Sequence, residues 1–237
     1  MYGWRGRIGL LVPSVNTVAE PEMNRMAPEG VSCFAARMRN SRADFGDTVE
    51  MLKHVERAAD ELASAHADVI AFTCTAGSFV RGGKGEDDLK GLIEKASHTT
   101  AVTTSGAVVA ALKNLKVRKL VMATPYPEEI NRLEKLFFEE KGFEVLAIQG
   151  LGITEAFKIG LENPDNTYRF VKNLDASLAD AVFISCTNYR TIDIIGRLEE
   201  DFKKPVVSSN QATFWAALRT IGCGESIHGF GKLLREY

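Results

Sequence analysis

The sequence lacks the features that mark several large classes of protein. Among its 237 residues, 29 lysines and arginines stand against 31 aspartates and glutamates, and the formal net charge is −2. Without an excess of basic residues, a nucleic acid is not an expected partner. No stretch approaches the roughly 18 continuous apolar residues of a membrane span, and the first residues lack the cleavage site of a secretory signal. We therefore expect a cytoplasmic protein that binds neither membranes nor nucleic acids.

Cysteine and histidine are scarce and scattered. The four histidines share no motif, and the four cysteines, Cys33, Cys74, Cys186 and Cys223, lie far apart. A structural zinc site needs clustered ligands, so no metal site is predicted. A reducing compartment and a chain of this length also argue against a disulfide framework. Cys33 lies within a predicted strand and Cys223 near a helix end, and we interpret both as structural.

A glycine motif for nucleotides is missing as well. The segment RGGKGEDD (81–88) has three glycines but neither the GxGxxG nor the GxxxxGK[ST] spacing. Nucleotide binding is therefore not predicted. The segment is typical of a flexible rim or lid, and we place it beside Cys74.

Short apolar segments alternate with amphipathic ones along the whole chain. Continuous apolar segments separated by helical patterns indicate parallel strands covered on both faces. Amphipathic patterns at 48–67 and 127–142 predict two of the helices. The predicted strands are 7–12, 31–37, 68–74, 100–104, 119–124, 144–149, 181–186 and 205–209.

The two sets of four strands look like copies of one unit. Pro13 and Pro125 are 112 residues apart, and so are Cys74 and Cys186. The segment DVIAFTCT (68–75) matches DAVFISCT (180–187) at the same offset, whereas AVTTSGA (101–107) matches VVSSNQA (206–212) at 105. Separate motifs related by one offset indicate an internal duplication.

The duplication predicts an α/β fold of two Rossmann-like lobes. Each lobe has a four-stranded parallel sheet, and a pseudo-twofold axis relates the lobes, with the active site between them. We assign residues 1–104 to lobe one, to which 211–237 return, and residues 105–210 to lobe two. Helices at 105–115 and 211–221 would then cross between the lobes.

Four motifs follow predicted strands, at the ends where parallel α/β sheets bind ligands. They are PSVN (13–16), TCTAGS (73–78), TPYP (124–127) and SCTN (185–188). If the lobes face each other, the cysteines of the second and fourth motifs point into one cleft from opposite sides.

Small or polar residues follow both cysteines. Backbone N–H groups in such loops bind a carboxylate without a formal positive charge, and the same field lowers the pKa of a thiol. A helix is predicted to start near Arg190, after the second motif. A cysteine at a strand end is more often inert core, but the duplication and the polar neighbours favour function for Cys74 and Cys186. One motif used twice suits a substrate with two carboxylates.

Two further residues in these motifs have more than one interpretation. Asn16 either caps the helix that follows it or also contacts substrate. Tyr126, between two prolines, is either a hydrogen-bond donor to substrate or a packed rim residue, and we favour the donor.

Five motifs resemble the aspartate/glutamate racemase superfamily, and within it the group of maleate cis-trans isomerases and arylmalonate decarboxylases. The resemblance covers nearly the whole chain and implies two lobes, no cofactor, no metal and a homodimer. The motifs are VPSVNTVAEPE (12–22), FTCTAGSF (72–79), ATPYPEEIN (123–131), ISCTNYRT (184–191) and SSNQATFW (208–215).

The resemblance also implies roles for single residues. Cys74 looks like the nucleophile and Cys186 like its acid/base partner. The residues that look like the carboxylate-binding set are Asn16, Tyr126, Thr75, Ala76, Thr187 and Asn188, to which we add Ser14 of the first motif.

The expected function is cofactor-independent cis-trans isomerisation of maleate or a closely related dicarboxylate. A racemase of an Asp/Glu-type amino acid or an ectoine-catabolism derivative also uses two thiols and stays an alternative. An arylmalonate-type decarboxylase is disfavoured by Cys74, because that group has no cysteine at the matching position. The third alternative is a non-catalytic protein that binds small acids. After GLGI (150–153) the isomerases tend to carry a substrate-contacting Asn, where this chain has TEAFKIG (154–160).

Overall fold

Eight strands and twelve α-helices form the part of the chain that the computed structural model describes, residues 2–237. A short 3-10 turn, Leu52–His54, joins the second and third helices. The first half contains β1 (Gly6–Pro13), α1 (Ala19–Met26), β2 (Val31–Met38), α2 (Phe45–Met51), α3 (Val55–Ser64), β3 (Val69–Phe72), α4 (Thr75–Phe79), α5 (Gly82–Ser97) and β4 (Ala101–Thr103).

The second half repeats this alternation. It contains α6 (Thr104–Asn114), β5 (Lys119–Thr124), α7 (Glu128–Glu140), β6 (Glu144–Gly150), α8 (Ala156–Ile159), α9 (Pro164–Lys172), β7 (Ala181–Ile184), α10 (Ile195–Phe202), β8 (Val206–Ser208), α11 (Ser209–Thr220) and α12 (Lys232–Glu236). No helix of residues 2–237 has both the length and the apolar character needed to cross a membrane.

Each half of the chain builds one four-stranded sheet, and all neighbouring strands are parallel. The strand orders are β2-β1-β3-β4 and β6-β5-β7-β8. All residues of β3 and β7 are buried, because elements cover both faces of each sheet, and this is why VIAF and AVFI have no polar alternation. The predicted α/β fold with two duplicated parallel sheets is confirmed.

The duplication also appears in the hydrogen bonds. The Asp68 carboxylate accepts the backbone N–H of Arg7 at 2.8 Å, and the Asp180 carboxylate accepts that of Lys119 at the same distance. Both members of this second pair lie 112 residues after those of the first. Each aspartate therefore ties the start of its central strand to a neighbouring strand.

The strands β3, β4, β7 and β8 end one or two residues earlier than predicted. Cys74 lies just outside β3, whereas Thr103 and Ser208 are the last residues of β4 and β8, and each of the three side chains accepts the backbone N–H three residues further on. A side chain that caps a helix in this way needs a non-helical backbone of its own and starts the helix at the next residue. Residues at or just after the strand ends therefore cap α4, α6 and α11.

The two helices predicted to cross between the lobes, α6 and α11, pack against each other. Both begin directly at the ends of the outer strands β4 and β8. The division of the chain at 104/105 and 210/211 stays a prediction.

Two local predictions are wrong. The segment 81–88 is not a flexible lid, because Gly82–Ser97 form one helix that buries Leu89 and Ile93. No helix begins near Arg190: α10 begins at Ile195. The buried carboxylate of Glu22 accepts the N–H groups of Thr191 and of the residue after it, which holds this segment outside the helix.

Candidate active site

The two cysteines predicted to work together line the same cavity. Cys74 follows β3 and caps α4, and its Sγ accepts the N–H of Gly77 at 3.4 Å. Cys186 follows β7, and its Sγ accepts the N–H of Asn188 at 3.4 Å. The lobes therefore bring together, at one cleft, two thiols that are 112 residues apart in the sequence.

The turn at Cys186 has a conformation that a cysteine rarely adopts, with φ at 92°. A non-glycine residue in this region costs energy, so neighbouring contacts must stabilise it. The backbone N–H of Cys186 donates to Ser209 Oγ at 3.0 Å, and Thr75 Oγ1 donates to the same oxygen at 2.9 Å. Ser209 at the start of α11 thus connects the two cysteine loops, a role that the sequence did not reveal.

Asn16 holds the start of α1 and also lines the cavity, while its contact with substrate stays a prediction. Its Oδ1 accepts the N–H groups of Val18 and Ala19 at 2.9 Å, which caps α1. Its Nδ2 donates to Thr187 Oγ1 at 3.0 Å, and that hydroxyl donates to the backbone of Thr73 at 2.8 Å. The amide of Asn16 lines the cavity and joins the first lobe to the SCTN motif of the second.

Most of the predicted substrate-binding residues meet at the cavity, and one does not. Ser14 is not among the lining residues: its hydroxyl donates to the carbonyl of Asn40 and accepts its N–H, both at 3.0 Å. It anchors the loop after β2 instead, so its assignment to substrate is corrected. The residues that do line the cavity are Asn16, Thr75, Ala76, Tyr126, Thr187 and Asn188.

The side chain of Asn188 is already occupied by protein partners. Its Oδ1 accepts the N–H of Thr17 at 3.0 Å, and its Nδ2 donates to the carbonyl of Ala156 at 2.8 Å. Asn188 therefore braces the cleft from both lobes and contributes its backbone N–H to Cys186.

The pKa values of the two thiols differ from the sequence prediction. Burial raises the pKa of Cys74 to about 11, and the N–H of Gly77 lowers it by less. Burial likewise raises the pKa of Cys186 to about 12, against hydrogen bonds from Tyr126 and Asn188 that lower it. Loop N–H groups do stabilise the thiolates, but removal from water outweighs them. Both thiols are therefore protonated at neutral pH before substrate binds.

Sequence reasoning missed one wall of the cavity. The loop between β2 and α2 lies against the segment 154–156: the N–H of Ala43 donates to the carbonyl of Thr154 at 2.8 Å, and the N–H of Ala156 to that of Ser41 at 3.2 Å. Both segments follow strands at the ligand-binding end of their sheets, which is the signal that could have found them. The lining residues of this wall come from these two segments and from the helices α2 and α8 that follow them: Asn40, Arg42, Ala43, Thr48, Ala156 and Ile159.

A carboxyl group is fully buried next to the Cys186 loop. Ser185 Oγ donates to Glu134 Oε1 at 2.5 Å, while Oε2 of this residue has no hydrogen-bond partner in the described part of the chain. Burial raises the pKa of Glu134 to about 8. The group is accordingly neutral at pH 7.

Glu134 makes the stability of the fold depend on pH. Because its pKa is raised above the ordinary 4.5, the folded state binds the proton more tightly, and this stabilisation is lost as the pH rises from 4.5 through about 8. We expect Glu134→Gln to reduce the alkaline loss of unfolding free energy by a few kcal/mol. Urea denaturation at about pH 5, 7 and 9 measures this, with Glu139→Gln, an exposed position on α7, as control. An unchanged pH dependence in the Glu134 variant would contradict the assignment.

Two parallel-sheet lobes that each contribute a thiol to one cavity define the class: a two-lobed α/β protein with a candidate two-cysteine active site. The family model for arylmalonate decarboxylase matches residues 8–234, and the chain belongs to that family. The resemblance seen in the sequence motifs is confirmed.

Relatives in this family carry two different activities. The chain is 28% identical to a maleate isomerase of Pseudomonas putida over 241 residues, covering 96% of both chains. It is 27% identical to the arylmalonate decarboxylase of Bordetella bronchiseptica, covering 97% of this chain and 96% of the other. A Nocardia farcinica maleate cis-trans isomerase, solved as a cysteine-to-serine mutant with a covalently bound succinylcysteine intermediate, superposes with a TM-score of 0.94 at 24% identity over 98% and 99% of the chains.

Proposed function

We propose that this protein is a cofactor-independent isomerase that converts maleate, or a closely related cis-dicarboxylate, into its trans isomer. The observation that carries the proposal is the presence of both thiols, Cys74 and Cys186, on one cavity. Maleate isomerases at 27–28% identity over almost the full length support it.

Covalent addition is what makes the isomerisation possible. Cys74 first gives its proton to solvent water, and the thiolate then adds to one alkene carbon, while the π electrons move to the other carbon, which takes a proton from Cys186. The former double bond is now a single bond and rotates freely. The Cys186 thiolate removes the proton again, the double bond re-forms in the trans geometry, and the Cys74 thiolate leaves.

The carboxylate beside the attacked carbon is held by neutral donors around the thiols. Asn16, Thr75, Ala76 and Thr187 line the cavity. In the proposed mechanism the Asn16 amide and the backbone N–H groups of the three other residues donate to substrate oxygens. Such donors stabilise the negative charge that builds on a carboxylate when the thiolate adds beside it. The succinylcysteine found in the Nocardia farcinica protein is the type of adduct that this mechanism requires.

The alternative functions differ from isomerisation in the bonds that they break and form. A decarboxylase needs no second thiol, and the presence of Cys74 beside Cys186 disfavours it. A racemase uses the same two thiols to exchange the α-hydrogen of an amino acid. A binding protein retains the cavity but performs no chemistry.

One experiment separates these functions. Purified protein without added cofactor is incubated with maleate, and the fumarate signal is followed by proton NMR. We expect fumarate to form. Solvent deuterium entering the α-position of an amino acid, with no action on maleate, would indicate the racemase; carbon dioxide release from a malonate would indicate the decarboxylase. Ligand binding without any turnover would leave a binding protein.

Assembly as a homodimer in the cytoplasm is part of the same proposal and rests on the sequence resemblance. Light scattering coupled to size-exclusion chromatography measures the mass of the particle. A mass equal to a single 26.0 kDa chain would contradict the dimer.

Tyr126 is expected to act on Cys186 as well as on substrate. Its side chain is buried in the cavity, and its hydrogen bond lowers the pKa of Cys186. Tyr126→Phe removes this stabilisation of the thiolate and makes Cys186 a weaker acid, so we expect kcat/KM to fall about 10- to 100-fold and the falling limb of the pH–rate profile, which reports the loss of the Cys186 proton, to move to higher pH. A loss of rate with an unmoved profile would restrict Tyr126 to substrate contact.

A further inference from the structure

The cavity has a single charged side chain among its lining residues, Arg42. It lies in the loop between β2 and α2, and its side chain is 57% exposed. The other lining groups are apolar or neutral and polar, apart from the two thiols and the phenol of Tyr126. Arg42 is therefore the one lining residue that brings a positive charge to the cleft.

A dicarboxylate needs such a charge. Maleate carries two negative charges, and a thiolate at Cys74 adds a third in the same cavity. Neutral N–H and amide donors partly replace the water that these charges lose, but buried charges are costly unless an opposite charge compensates them. A guanidinium is suited to the task, because its planar fork binds both oxygens of a carboxylate.

The guanidinium of Arg42 is held by a partner that a substrate carboxylate can replace. Arg42 Nε lies 2.6 Å from Asp44 Oδ2, and Asp44 is partly exposed, with 31% of its side chain accessible. Exposed ion pairs contribute little to stability. Exchanging Asp44 for a substrate carboxylate therefore costs little.

The backbone of Arg42 is fixed, so only its side chain has to turn. Its N–H donates to Asp47 Oδ2 at 2.8 Å, and its carbonyl accepts Nδ2 of Asn40 at 3.2 Å. An antiparallel bridge to Glu155 links it to the other lobe. The guanidinium starts from an anchored position at the cavity wall.

We propose that Arg42 is a specificity-determining residue that binds one carboxylate of the substrate and selects dianionic over monoanionic substrates. This proposal rests on the isomerase function proposed above. In this assignment the neutral donors around the thiols hold the carboxylate beside the attacked carbon, and Arg42 holds the second one. Asp44 is the competing anion that keeps Arg42 at the cleft when substrate is absent.

The test compares maleate with maleamate, its monoamide, which has one charge fewer and nearly the same shape. For Arg42→Gln we expect the KM for maleate to rise about 10- to 100-fold, with a smaller change in kcat and less than about 3-fold change for maleamate. Arg42→Lys should restore part of the preference. Asp44→Asn removes the competing charge while Asn still caps α2, and it should lower the KM for maleate.

The controls separate this proposal from a structural role and from the function itself. Arg25→Gln breaks an exposed pair with Asp193 of the same 2.6 Å length, away from the cavity lining, and should leave both substrates unchanged. An equal loss for maleate and maleamate in Arg42→Gln, or no loss for either, would overturn the role of Arg42.

If wild-type protein turns over neither substrate, the isomerase proposal fails. Calorimetric binding of succinate and of its monoamide to wild type and Arg42→Gln then decides the role of Arg42 separately. Weaker binding of succinate alone supports the proposal, and unchanged selectivity refutes it.

Discussion

Cys74→Ala is expected to abolish isomerisation, lowering kcat/KM by at least about 10³-fold. Alanine fills the same place at the start of α4 but has no sulfur to add to the alkene, and no other nucleophile among the lining residues occupies that position. The loss is measured by the fumarate signal under conditions that saturate wild type.

The control is Cys33→Ser, which changes a thiol on β2 outside the cavity lining. It should retain near wild-type activity, and circular dichroism of both variants should match wild type. Substantial turnover by Cys74→Ala would show that Cys74 is not the nucleophile.

Cys186→Ser is expected to stop the reaction part-way and leave maleate attached to Cys74. Solvent water can supply the proton that completes the adduct when the Cys186 thiol is missing, but removal of the carbon-bound proton needs a positioned base. A serine hydroxyl is a far poorer proton acceptor than a thiolate, so the adduct loses its proton slowly and accumulates. We expect turnover to fall at least about 10²-fold. Intact-protein mass spectrometry should show a gain equal to one molecule of maleic acid, and peptide mapping should place it on Cys74.

The double variant Cys74→Ala/Cys186→Ser provides the control, because it should gain no mass. An adduct on Cys186 in Cys74→Ala, together with none on Cys74 in Cys186→Ser, would reverse the two roles. Both outcomes are distinguishable because the two cysteines lie in different proteolytic peptides, separated by several lysines and arginines.

Much of the fold could be predicted because the duplication is visible in local sequence patterns. The apolar segments of β3 and β7 and the cysteines that follow them repeat at one offset, and a parallel sheet buried on both faces requires such segments. Cys74 and Cys186 could therefore be paired from the sequence alone. The site residues nearest to them in the chain, Thr75 and Thr187, followed from the same motifs.

The errors have a common physical cause. Segment 81–88 looked flexible because its glycines lower helix propensity, yet apolar residues further along the helix, Leu89 and Ile93, pack into the fold and hold it. Ser14 looked like a substrate residue from its motif, but its hydroxyl has a partner in Asn40. Tertiary contacts decided both cases.

The two-cysteine site that first stood out in the sequence changed most in its electrostatics. Local N–H groups indicated lowered thiol pKa values, whereas burial raises the pKa of Cys74 to about 11 and of Cys186 to about 12. The N–H donors are adjacent in the chain and visible in the motif. The loss of water comes from every element packed around the cleft.

The sequence alone determined the class of fold, the duplication and the identity of the two thiols, because strand patterns and strand-end motifs depend on neighbouring residues. Only the tertiary structure decided that both thiols line one cavity, that Ser209 joins their loops, and that Arg42 brings a positive charge to the wall. These facts depend on segments far apart in the chain, and the packing of the two lobes sets their distances.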